Sequence, residues 1–158
     1  FRIDFGAAGS MKPDGAQARA TLADLVRWLD AAPRRLGTDP TRTYLLGFSQ
    51  GAMMSVGVLR TAPERVAGVV ALSGRADDAV FDVCADRAAI ARVPLLIAHG
   101  LYDDVLPIAE GRRARDAFQE LSRDFTYREF PIRHGIDGEE LGLVAQWLTA
   151  HLDAPQVN

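Results

Sequence analysis

The chain has 158 residues, a formal net charge of -3, 48% hydrophobic and 25% charged residues, the profile of one domain with one core and no basic excess to neutralise nucleic-acid phosphates. No apolar run approaches the roughly 18 residues of a membrane span, so a soluble protein is expected. Cys84 is the sole cysteine, which leaves no internal disulfide and no CxxC metal or redox motif, and favours a cytoplasmic location.

The chain opens on Phe1 rather than methionine and without the basic-then-apolar pattern of a secretory signal, so a start downstream of a translation start or a processing site is expected. Phe1 to Phe5 alternates apolar and polar, predicting a strand or extended segment, and Gly6 to Pro13 reads as a loop. Leu22, Leu25, Val26 and Leu29 fall on one helical face, and Pro33 with Gly37 closes that helix before a turn at Asp39-Pro40. Arg42 to Phe48 predicts a strand, entered straight into a helix from Gln50 to about Thr61 that ends before Pro63.

Val66 to Leu72 and Val93 to Ala98 are short, nearly continuous apolar runs rich in β-branched residues, the pattern of parallel strands covered on both faces. Between them, Arg75 to Arg92 is polar and irregular, with part of it helical. An acidic loop follows Gly100. Next come a helix with Ala114, Ala117, Phe118 and Leu121 on one face and a strand from Phe125 to Phe130. A last helix, about Glu139 to Leu152, places Leu141, Val144, Ala145, Leu148 and Leu152 on one side. Strands alternating with helices predict βαβ units in a three-layer α/β/α sandwich with a mostly parallel sheet, one domain over residues 1–158. Ligands of such sheets bind beyond the carboxyl ends of the strands.

Three loops in those positions carry chemistry. Ser49 sits in Gly47-Phe48-Ser49-Gln50-Gly51 between an apolar strand and a helix, where a sharp turn exposes a serine hydroxyl, and the Gln50 N–H at the helix start suits a developing oxyanion. A plain helix N-cap is the other reading of Ser49. A serine nucleophile needs a base, and the base needs an orienting acid. Asp103 and Asp104 follow the strand ending at Ala98, and either is also a candidate for a solvated turn acid or helix cap. His134 lies in the loop after Phe130. His99, at a buried strand end, is expected to pack or hydrogen-bond there, and His151 to suit the last turn of the final helix. The order Ser, acid, His is that of α/β-hydrolases.

The motifs GFSQGA, HGLYDDVLP and RHG, in this order, resemble the phospholipase/carboxylesterase branch of the α/β-hydrolase superfamily, with its acyl-protein thioesterases and small bacterial esterases. The resemblance implies Ser49 as nucleophile, Asp103 as triad acid and His134 as base, with Asp104 at a variable position. It implies a small-molecule ester or thioester substrate and no cofactor or metal, and with no evident lid or long insertion in the sequence, short to medium acyl chains are expected. Lysophospholipase or protein depalmitoylase activity is the alternative, and an inactive binding module is another. Phe48, Leu101, Leu106 and Ile136 are candidates for an acyl pocket or for core. Members of the family also carry upstream strands and a His-Gly-x-Gly loop that supplies a second oxyanion donor. Without a counterpart here, the fold is expected to be N-terminally truncated. Either upstream residues or a second copy of the chain, in a homo-oligomer, would cover the edge along Tyr44 to Phe48.

Overall fold

The computed structural model describes residues 3–5, 11–76 and 86–153; Cys84 and most of the irregular stretch before Arg87 lie outside them. A short antiparallel pair, β1 (Ile3–Phe5) and β2 (Met11–Pro13), opens the structure, so the predicted loop from Gly6 to Pro13 ends in a strand. Four parallel strands follow in sequential order: β3 (Tyr44–Phe48), β4 (Gly68–Leu72), β5 (Leu95–Gly100) and β6 (Phe125–Phe130). Helix α1 (Gly15–Leu36) precedes the sheet. Helix α2 (Gln50–Thr61) joins β3 to β4, the short α3 (Arg87–Ile90) lies before β5, α4 (Ile108–Phe118) joins β5 to β6, and α5 (Gly138–Asp153) follows β6.

Strands β3, β4 and β5 each begin two residues later than the apolar pattern suggests, because local turns claim their first residues. Asp39 accepts hydrogen bonds from the Thr41 N–H at 2.9 Å and the Thr41 hydroxyl at 2.6 Å. These wind Pro40–Arg42 into a single 3-10 turn ahead of β3. Pro63–Arg65 forms a similar turn closed by Val66 ahead of β4. Pro33 does not end α1. It sits in the last turn, where its missing N–H forfeits one bond, and the helix closes at Gly37 in the left-handed conformation, φ 66°.

The alternation of strand side chains divides the core. On one face Val69, Ala71, Leu95 and Ile97 pack with Leu22 and Leu29 of α1, Met53, Val56 and Leu59 of α2, and Ala114 and Phe118 of α4. On the other, Val70, Leu72, Leu96 and Ala98 pack against Val144 and Trp147 of α5. Two predicted helix faces are corrected. Ala117 is exposed, and Leu121 lies beyond the end of α4. The buried side of α5 is Glu140, Val144 and Trp147, while Leu141 is 58% exposed and Ala145 and Leu152 also face out. The helix turns this way because Trp147 has a seat: it meets the Tyr44 ring edge-on at 6.4 Å and stacks near His151 at 4.0 Å. Among the described residues β3 is one edge of the four-stranded sheet, β6 the other, and Leu46 of β3 is 51% exposed.

Candidate active site

The link between β3 and α2 is tight enough to dictate its residues. A Cβ on Gly47 would fall 2.2 Å from the carbonyl carbon of Gly51 and 2.6 Å from the Ala52 nitrogen, so only glycine lets the strand run this close beneath the helix that follows it. Gly51 differs: a Cβ there would meet nothing within 4 Å, so its place in the motif has no steric cause among the described residues. Between them Ser49 adopts φ 53°, ψ -115°, a region that costs a non-glycine residue about 1–3 kcal/mol. Its N–H donates to the Leu72 carbonyl at 2.8 Å, which ties the turn to β4. Ser49 occupies the N-cap position of α2, but its hydroxyl makes no helix-capping bond.

The hydroxyl instead lies 3.0 Å from Nε2 of His134. Nδ1 of the same ring lies 2.7 Å from Oδ2 of Asp103. A carboxylate only accepts, which assigns the proton to Nδ1 and leaves the Nε2 lone pair for the Ser49 O–H to donate to. The imidazole stands 4.8 Å from the Phe48 ring, tilted 43°. The side chain of His134 is 15% exposed and that of Asp103 is fully buried. Burying a carboxylate is tolerable here because donors surround it: Oδ1 accepts from the Val105 N–H at 2.9 Å and the Leu106 N–H at 2.7 Å.

The two adjacent acids are thus separated by the turn. Asp103 points in to His134, and Asp104 points out to an ion pair with Arg133, both side chains more than half exposed. The Arg133 hydrogen bond chiefly holds the Asp104 carboxyl below its ordinary range. The acid loop and the base loop also join through backbone: Leu101 N–H donates to the Phe130 carbonyl at 2.7 Å and Tyr102 N–H to the Ile132 carbonyl at 3.0 Å.

The other expected residues fall as follows. Gln50 opens α2, where helix geometry leaves N–H groups to acceptors outside the helix. Phe48 flanks His134, Leu101 is half-buried, Ile136 is 45% exposed, and Leu106 is 2% exposed, so Leu106 serves the site through its backbone. A groove of about 530 Å³ lies at the opposite end of β3, between Trp28, Leu36, Tyr44 and Leu152, remote from Ser49. His151 bonds the Trp147 carbonyl and Asp124. His99 is buried against the acid loop, Nε2 2.8 Å from the Leu106 carbonyl oxygen and 3.5 Å from Asp103 Oδ2. That contact with the acid is not visible in the sequence, since nothing in the spacing of His99 and Asp103 says which way either side chain turns. Glu140 is likewise unforeseen: it is fully buried, with no hydrogen-bond partner for its carboxyl oxygens among the described residues. No group of His, Cys, Asp and Glu suited to a metal occurs among those residues.

A parallel sheet with helices on both faces, a strained serine at the first strand-to-helix elbow, and a histidine and an aspartate on later strand-end loops define the α/β-hydrolase fold. Residues 11–152 match the phospholipase/carboxylesterase family model, and the chain belongs to that family. It is 31% identical over 109 residues to acyl-protein thioesterase 1 of Emericella nidulans, a match covering 66% of this chain and 46% of that protein. Among solved structures it superposes on the carboxylesterase of Bacillus cereus with a TM-score of 0.79 at 18% identity, covering 92% of this chain and 66% of that one. Esterase PE8 gives a TM-score of 0.73 at 28% identity, covering 85% and 62%. The chain spans about half the length of the curated relatives it matches. No helix among the described residues is long and apolar enough to cross a membrane.

Proposed function

We propose that this chain carries the catalytic triad of a serine carboxylesterase acting on short to medium acyl esters. The observation that supports this most is the unbroken relay from Ser49 Oγ through His134 to the buried Asp103. Ser49 attacks the ester carbonyl as its proton passes to Nε2 of His134; the imidazolium is steadied by Asp103 through Nδ1. The Gln50 N–H receives the oxyanion, with a second donor coming from outside the described residues. The tetrahedral adduct collapses, His134 returns the proton to the leaving alkoxide, and the acyl group stays on Ser49. Water then repeats the sequence: His134 takes its proton, the hydroxide attacks the acyl carbonyl, and Ser49 leaves with the proton restored. Phe48, beside the imidazole, is the best placed of the expected acyl-pocket residues.

A thioester substrate is the second reading, favoured by the match to a relative named acyl-protein thioesterase. In either case the exposed edge of β3 is to be completed, by further strands or by a second copy. The test is labelling with a fluorophosphonate probe, wild type against Ser49→Ala, followed by acyl-length profiles on nitrophenyl esters and on thioesters. Labelling lost with the substitution supports the reading. Labelling that survives removes Ser49 as nucleophile, and a wild type that does not label favours a non-catalytic module.

A further inference from the structure

His99 is the one fully buried imidazole, and the triad described above does not use it. Its Nε2 faces the Leu106 carbonyl oxygen at 2.8 Å. A carbonyl only accepts, so Nε2 carries the proton and donates it. The same residue, Leu106, donates its N–H to Asp103 Oδ1 at 2.7 Å, and the His99 Nε2 stands 3.5 Å from Asp103 Oδ2. One imidazole thus grips the far end of the turn that wraps Asp103 and also touches the carboxylate directly. The ring is placed from behind by α4. A Cβ on Gly111 would fall 2.6 to 2.7 Å from His99 Cγ, Cβ and Nδ1, so only glycine lets the helix approach the base of the ring this closely. His99 itself is anchored in β5, in register with Glu129 of β6.

We propose that His99 is a positioning residue: it fixes the turn from Asp103 to Leu106 so that Oδ2 is held toward His134. This inference rests on reading Asp103 and His134 as the acid and base of the site. The start of the turn is held by the Tyr102 N–H on the Ile132 carbonyl at 3.0 Å and the Asp103 N–H on the Gly100 carbonyl at 3.3 Å, while the bonds from Val105 and Leu106 to Asp103 shape its far end without tying that end to the sheet. The His99 bond to Leu106 anchors that far end, from a strand that cannot move without the sheet. A displacement of about 1 Å in a triad member is enough to cost on the order of a hundredfold in rate.

The experiment compares His99→Leu, which fills similar volume without a donor, with His99→Gln, whose amide N–H reaches about as far as Nε2, and with His99→Asn, a polar side chain too short to reach Leu106. Two readouts are used: solvent exchange of the His134 Nδ1 proton, followed by NMR on histidine-labelled free protein, and kcat and KM on a nitrophenyl butyrate ester. The leucine and asparagine variants are expected to exchange that proton about tenfold faster and to lose on the order of ten- to a hundredfold in kcat, with KM within about threefold. The glutamine variant is expected to restore both to within about threefold of wild type. Exchange at the wild-type rate in the leucine or asparagine variant overturns the proposal. So does equal acceleration in all three, which marks a packing role. Asparagine keeps the comparison informative where leucine does not fold. A wild type that neither hydrolyses the ester nor labels sinks the esterase reading alone, since the exchange measurement on free protein still decides the role of His99.

Discussion

Glu140 lies in the first turn of α5 with its side chain turned onto the sheet, 0% exposed. Its backbone N–H donates to the N-terminal Asp137 at 2.8 Å, but neither carboxyl oxygen has a partner among the described residues. Burial first, and the neighbouring Asp137 charge second, push its carboxyl from an ordinary 4.5 up to about 7. The folded protein therefore holds this proton more tightly than the unfolded chain. Below about pH 4.5 both states are protonated and nothing is lost; between 4.5 and 7 the folded state binds the extra proton and stability falls as pH rises; above 7 the full cost of a buried anion is present. At about 1.4 kcal/mol per pH unit across that window, the loss comes to about 3.5 kcal/mol. Glu140→Gln keeps the shape and removes the ionisation. Urea unfolding followed by circular dichroism at pH 5, 6, 7 and 8 should show the difference between variant and wild type growing in favour of the variant by about 2–3 kcal/mol from pH 5 to 8. Histidine titrations common to both proteins cancel in that difference. Parallel stability curves, separating by less than about 0.5 kcal/mol across the range, would refute the assignment of a protonated, buried carboxyl.

The strain at Ser49 gives a further outcome. Ser49→Gly should abolish hydrolysis by about four orders of magnitude or more yet raise stability relative to Ser49→Ala by about 1–2 kcal/mol, measured by thermal unfolding of the two inactive variants. The two motif glycines should also part company. Gly47→Ala drives a methyl into the Gly51 backbone and is expected to cost about 3 kcal/mol or more, whereas Gly51→Ala, with open space around it, should stay within about 0.5 kcal/mol in the same denaturation assay.

The elements most legible in the sequence were those whose residues had one physical use. The apolar runs of β4 and β5 are buried on both faces, and β6 runs from Phe125 to Phe130 as its pattern indicates. The approach of strand and helix at Gly47 is equally readable, because only close backbone packing asks for that residue type at that place. Legibility failed where two side chains compete for one face. In α5 the leucines at 141 and 152 look like the core stripe, and Glu140 looks like a solvent residue, but the seat offered to Trp147 by Tyr44 rotates the helix so that Glu140 turns in. It failed again at His99, whose neighbour Asp103 is close in sequence but whose contact depends on how the turn folds back. Between Asp103 and Asp104 the residues alone gave no choice. The hydrogen bonds from Val105 and Leu106 make it, since they pull the first carboxylate inward and leave the second to Arg133.

The order of serine, acid and histidine along the chain says less about the site than the reach of its loops. Strand order β3-β4-β5-β6 places the histidine loop three strands away from the serine, roughly 14 Å at ordinary strand spacing. The four residues from Pro131 to His134 span at most about 14 Å when extended; the loop bends at Pro131 and again at Arg133, His134 and Gly135, so the imidazole side chain closes the rest of the distance, to 3.0 Å from the Ser49 hydroxyl. That path has to be clear above β4. Directly after β4 the chain turns through Ser73, φ 45°, toward α2, where a Cβ on Gly74 would lie 2.5 Å from the Ala52 Cβ. The Asp103 turn, on the intervening β5, meets the histidine partway. The triad is thus spread over the ends of β3, β5 and β6, while Ser73, the residue that follows β4, turns the chain toward α2 and takes no part in it.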